Sequence, residues 1–79
     1  MANVNDNERE SVSQKKRIAA WLNDGKTLTQ MEALYKFGCF RLASRINDLR
    51  NDGMNIKTEK ITLSNGKIVA QYRKLDTAL

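Results

Sequence analysis

The chain has 79 residues, enough for one domain with a single modest core. Hydrophobic residues make up 41% and charged residues 29%, a balance that excludes a wholly disordered chain, and the net charge of +5 favours a polyanionic partner. With no histidine and one cysteine, the chain lacks the commonest general base, the usual zinc ligand sets and any internal disulfide.

The charge is unevenly spread. Residues 13–75 hold thirteen basic and five acidic side chains, whereas residues 1–12 hold one basic and three acidic ones. Residues 1–11, polar and rich in Asn, read as a disordered tail, residues 12–75 as the folded domain, and residues 76–79 as a frayed end.

The first helix is expected to start around Ser11–Ser13, where Ser11 and Gln14 have capping-box spacing. Ile18, Trp21 and Leu22 recur at i, i+3 and i+4 and give it an apolar face, and Gly25 ends it. Thr27–Leu28 is a link or a minimal strand. Thr29 and Glu32 form a second capping box, with Leu28 and Ala33 at the staple positions around it. Met31, Leu34 and Tyr35 are expected to supply the apolar face of a short second helix ending near Lys36.

Phe37-Gly38-Cys39 is a turn, since Gly38 takes a positive φ without steric cost. A third helix is expected from about Phe40 to Asp52, with Leu42, Ile46 and Leu49 as its core stripe and Gly53 closing it. Two helices joined by a tight turn containing Gly form the helix-turn-helix pattern. Thereafter the period changes to two. Asn65-Gly66 predicts a hairpin with a type I′ turn. Folding there sets Leu63 opposite Ile68 and Ile61 opposite Ala70. Ile61, Leu63, Ile68, Ala70 and Tyr72 then share the face packed on the helices, while Lys60, Thr62, Ser64, Lys67, Val69, Gln71 and Arg73 face solvent. Ile56 falls on the wrong parity, which predicts a bulge near Lys57.

Helix, short strand, helix, helix, strand, strand is an α+β order: a three-helix winged helix-turn-helix with a C-terminal β-hairpin wing. In this topology the third helix enters the major groove and the wing lies on the backbone. Arg41, Ser44, Asn47 and Asp48 point away from the core stripe, and Arg45 and Arg50 sit on its shoulders. Arg suits guanine and Asn suits adenine, which makes Arg41, Ser44, Arg45, Asn47 and Asp48 the candidate DNA contacts of the helix. Arg45 and Asp48 are also spaced to pair with each other. Lys60, Asn65 and Lys67 are the candidate contacts of the wing, although lysines on exposed strands also deter edge-to-edge pairing. The basic run Lys15, Lys16, Arg17 splays around its helix and makes no single patch. Trp21, Tyr35, Phe37, Phe40 and Tyr72 read as core rings, Phe40 the least comfortably, and Cys39 as a small semi-buried residue.

The stretch TLTQMEALYKFGCFRLASRINDLRNDGMNIKTE, followed by NGKIVAQY, resembles a small winged helix-turn-helix domain family common in bacteriophages, prophages and bacteria. The resemblance runs from Ser13 to Arg73. It implies DNA binding and makes the Phe40–Asp52 helix the recognition helix. Aligning Gly38 with the turn glycine of repressor-type motifs puts Ser44 and Asn47 where apolar residues are expected, so the turn here is longer.

The resulting expectation is a duplex DNA-binding domain of a phage-type or prophage-type transcriptional regulator, or of an accessory DNA-architecture factor such as an excisionase. It would work in the cytoplasm, alone or cooperatively with itself or a second protein. The alternative is a protein-interaction module of the same fold, a small host-directed inhibitor or adaptor. No nucleophile–base pair, metal set or cofactor-binding loop is visible, so neither an enzyme, a cofactor, a small-molecule substrate nor a membrane partner is expected.

Overall fold

The computed structural model describes the backbone of residues 6–75 and the side chains of residues 12–75. Three helices and three strands follow in the order α1 (Asp6–Asn23), β1 (Leu28–Thr29), α2 (Gln30–Phe37), α3 (Leu42–Asn51), β2 (Ile56–Thr62) and β3 (Ile68–Lys74). The strands form one antiparallel sheet in the order β1-β3-β2, with β3 in the middle.

α1 begins at Asp6, ahead of the start expected at Ser11–Ser13, so the expected tail overlaps the helix from Asp6 onward. Glu and Arg are good helix formers, and the acids Asp6, Glu8 and Glu10 suit the positive amino end of a helix. The remainder of the expected tail, residues 1–5, and the expected frayed end, residues 76–79, lie outside the described residues.

The core is built as the apolar spacing requires. Ile18 and Leu22 of α1, Leu28 of β1, Ala33 of α2, Cys39, the Leu42–Ile46–Leu49 stripe of α3 and Ile56 of β2 are all buried in one cluster. Each buried Leu or Ile contributes about 1.5–3 kcal/mol of transfer free energy. Trp21 borders this cluster. Its Nε1–H donates to the Thr27 carbonyl at 2.8 Å, its ring meets Phe37 edge-on at 5.9 Å, and the ammonium groups of Lys26 and Lys36 lie 4.3 and 4.9 Å from its centre. Cys39 is 2% exposed, more buried than the expected semi-buried position.

Thr29 caps α2 as its spacing predicts. The hydroxyl accepts from the Glu32 N–H, and the Glu32 carboxylate accepts from the Thr29 N–H at 2.9 Å. The face of α2 that packs differs from expectation. Ala33 is buried and Phe37 half-buried against the core, while Met31 and Tyr35 are 59% and 80% exposed. With Leu28 and Ala33 both turned into the core, the side of the short helix carrying Met31 and Tyr35 is left to solvent.

The hairpin register also corrects the expectation. Thr62 pairs with Ile68, Ile61 with Val69, Lys60 with Ala70 and Thr58 with Tyr72. A type I′ turn needs positive φ at both Asn65 and Gly66, but only Gly66 is left-handed, at φ 89°. Leu63 and Lys67 instead close a three-residue Ser64-Asn65-Gly66 turn: the Gly66 N–H donates to Leu63 O, and the Leu63 N–H to Lys67 O. The Asn65 side chain accepts from the Lys67 N–H at 3.0 Å, satisfying the group that the tighter turn would have used.

This shift by one residue has two results. Ile56 now falls on the same side as Tyr72, so it is buried without the bulge expected near Lys57. Ile61 and Leu63 leave the helix-facing side, on which Lys60 and Thr62 now stand with Ala70 and Ile68. On the outer side, Glu59 lies between Arg73 and Lys57, at 3.3 and 3.5 Å. The Arg73 hydrogen bond holds the Glu59 carboxyl below the usual carboxylate range, partial burial opposes this, and Lys57 adds to the lowering.

Candidate nucleic-acid interface

α3 is fixed on its inner side and open on its outer side. Leu42, Ile46 and Leu49 lock one stripe into the core, while Ala43, Ser44, Asn47 and Asn51 are exposed. The helix starts later than expected, at Leu42. Arg41 is the N-cap residue, exposed and with no side-chain capping bond, and no acid sits in the first turn.

What caps α3 is a side chain from α2. Gln30 Oε1 accepts the Leu42 N–H at 2.8 Å, and Gln30 Nε2 donates to Cys39 O at 2.7 Å. One amide therefore grips both sides of the Phe40–Arg41 dipeptide. Gln14 of α1 adds a third brace, donating to Gly38 O at 3.1 Å. Gly38 itself ends α2 at φ 64°, its N–H donating to Leu34 O at 2.9 Å. The turn is tied down from both neighbouring helices.

Of the candidate contacts at α3, Arg41, Ser44 and Asn47 are exposed, and the Arg41 side chain makes no capping bond. Arg45 and Asp48 are paired with each other. Arg45 Nε lies 3.2 Å from Asp48 Oδ2, yet its N–H is not aimed at the oxygen and makes no hydrogen bond. The pairing foreseen from their i, i+3 spacing is thus present, in loose geometry.

On the wing, Lys60 and Lys67 are exposed, and Asn65 is exposed with its carbonyl oxygen already used within the turn. Lys60 stands on the helix-facing side of the sheet, not on the outer side as expected, because of the register. In the basic run of α1, Lys15 pairs with Asp52 just beyond α3 at 2.8 Å, and Lys16 and Arg17 are exposed.

Three residues escaped sequence reasoning. Arg50, on the shoulder of α3, donates from Nε and Nη2 to Ile56 O at 3.2 and 2.8 Å, and from Nη2 to Thr58 Oγ1 at 2.9 Å. It ties α3 to the wing. Gln30 clamps the turn, and no local pattern announces a reach of twelve residues. Phe40 is 79% exposed, so it is not a core ring; its position off the core stripe was the available signal.

Among the described residues there is no group of three or more His, Cys, Asp or Glu placed to hold a metal ion. No helix among them is long and apolar enough to cross a membrane. Among the described residues, one surface cleft is lined by Leu22, Asn23, Gly25, Lys74 and Leu75, and another by Ala19, Asn23, Leu49, Asp52 and neighbours. Neither brings together an acid and a base free for chemistry, since Asp52 is bound to Lys15.

No curated protein and no solved structure gave a match to the chain. A family model described as the winged helix-turn-helix domain matches residues 13–74, which includes every strand, α2, α3 and the core-forming half of α1. Winged helix-turn-helix domains are in general DNA-binding modules rather than enzymes, and by this match over most of its length the chain belongs to the winged helix-turn-helix domain family.

Proposed function

We propose that the domain binds duplex DNA with α3 in the major groove and the tip of the wing on the sugar-phosphate backbone. The observation that carries this reading is the two-sidedness of α3. Its inner stripe is immobilised by the core, and its outer side offers Arg41, Ser44 and Asn47 to base edges. Arg45 and Asp48 stand beside them as a pair that DNA can open. Lys60, Asn65 and Lys67 supply point charge and polar groups for phosphates. The thirteen basic side chains of residues 13–75 provide the general attraction.

The biological role we assign is that of a phage-type transcriptional regulator or accessory DNA-architecture factor in the cytoplasm. One small module binds mixed-sequence DNA with a Kd of about 1–100 µM. Useful occupancy then calls for tandem sites, a second copy or a partner protein.

The test is an amide chemical-shift titration with mixed-sequence duplex DNA at two salt concentrations. The expected result is shifts clustered on Arg41–Asp48 and Lys60–Lys67 that shrink at higher salt. Absence of shifts at low salt would remove the reading. It would favour a protein-interaction module, for which the specific support is the exposed Met31 and Tyr35 on α2.

A further inference from the structure

Phe40 is placed where a folding domain gains nothing from it. It is 79% exposed, whereas Trp21, Phe37 and Tyr72 are each packed against the core. Tyr35 is also open to solvent, but a tyrosine carries a hydroxyl that water satisfies. A phenylalanine ring has no polar group, so its exposure forgoes burial without compensation.

Nor is the exposure a product of a loose turn. Gln30 holds Cys39 O and the Leu42 N–H, the backbone groups flanking Phe40 and Arg41, and Gln14 holds Gly38 O. Cys39 and Leu42 on either side of the dipeptide are buried, at 2% and 0% exposure. The backbone is pinned and the ring projects from it. Such an arrangement fixes where the apolar ring is rooted, at the amino end of α3, the end from which recognition helices reach base edges.

The immediate surroundings limit what the ring can meet. The exposed residues nearest in sequence are Gly38 and Arg41, and no acid occupies the first turn of α3. An apolar ring beside an arginine sets a basic charge next to whatever the ring meets, which suits a polyanion better than a broad apolar protein surface. The ring is well matched to the one apolar group that duplex DNA displays in its major groove, the 5-methyl of thymine.

We propose that Phe40 is a base-reading residue that packs on a thymine methyl while Arg41 engages the adjoining base or phosphate. This rests on the DNA-binding reading above and adds to it a stated base preference. The Gln30 amide fixes the backbone that carries the ring before DNA arrives, so that backbone needs little ordering on binding.

The experiment uses the full chain. Duplexes are enriched from a random-sequence library on the wild-type protein. The enriched duplex is then synthesised with uracil replacing thymine at one position at a time, which deletes only the methyl. Fluorescence anisotropy at fixed salt should find a position where this substitution weakens wild-type binding about fourfold, the worth of one buried methyl. Phe40→Ala, with an unchanged melting temperature, should bind the two forms equally. If no thymine methyl matters to the wild-type protein, or if Phe40→Ala keeps the preference, the assignment of Phe40 is overturned and DNA binding stands. If no duplex is bound at all, both fall.

Discussion

Arg45 and Asp48 meet across one turn of α3 with 3.2 Å between Nε and Oδ2, so two side chains suited to base edges are engaged with each other while the guanidinium Nε–H is left without a hydrogen bond. The pair is loosely joined, with Arg45 mostly covered and Asp48 partly exposed, and its acidic half opposes phosphate. Asp48→Asn is expected to raise affinity for mixed-sequence duplex by about fivefold at low salt, the ~1 kcal/mol scale of one partly exposed charge. The slope of log affinity against log salt should steepen by about 1, for one more phosphate contact. Anisotropy titrations over a salt series measure both; an unchanged slope would mean that Arg45 gains no phosphate when freed.

Arg41 stands at the amino end of α3 and Arg50 on its shoulder near the other end, and the two should separate cleanly under mutation. Arg50 holds Ile56 O and Thr58 Oγ1, and Arg41 makes no side-chain capping bond. Arg50→Ala is expected to lower stability by about 1–2 kcal/mol through the lost charged hydrogen bonds. Arg41→Ala should stay within about 0.5 kcal/mol of wild type and lose DNA affinity instead. Urea unfolding of the two variants decides the matter, and equal stabilities would sink the structural role of Arg50.

Gly66 is the one residue of the wing turn with positive φ, and a Cβ added there meets nothing within 4 Å. The cost of Gly66→Ala therefore lies in the backbone alone, about 1–2 kcal/mol. Gly66→Asn should cost less, because asparagine tolerates the left-handed region better. Melting temperatures of the pair test this; the reverse ranking would show that the turn had changed type.

Glu59 ionises more readily in the folded protein than in the unfolded chain, chiefly because Arg73 hydrogen-bonds its carboxylate. The stability this provides is complete above the unfolded carboxyl value and disappears as pH falls through the lowered folded value. Glu59→Gln should be less stable than wild type at neutral pH and indistinguishable from it well below the carboxylate range. Urea midpoints at the two pH values check this, and a difference that persists in acid would rule out the ion pair as its source.

The parts legible in the sequence were those set by local periodicity. The Leu42–Ile46–Leu49 stripe and the Thr29–Glu32 capping box follow from spacings of three and four residues, and both are present. The hairpin was legible in place but not in register, because Asn65-Gly66 fits two turns that differ by one residue, and only the burial of Ile56 chooses between them. Tyr35 and Phe40 were misread for a related reason. Aromatic rings default to the core in small domains, yet Leu28 and Ala33 turn into the core beside Tyr35, and Phe40 stands off the core stripe of α3. Gln30 and Arg50 were silent because their partners are backbone groups of other elements.

The position of β3 has a consequence for how the domain comes into being. This strand pairs with β1 through Leu28 and Tyr72, and with β2 along its whole length. A contact between residues so far apart closes a long loop, which slows folding relative to a plain helical bundle. On the ribosome all three helices emerge before Tyr72 does, and until then Leu28 has no strand beside it. The folded domain is therefore acquired late and at once: the segment that finishes the sheet is the same segment that erects the wing.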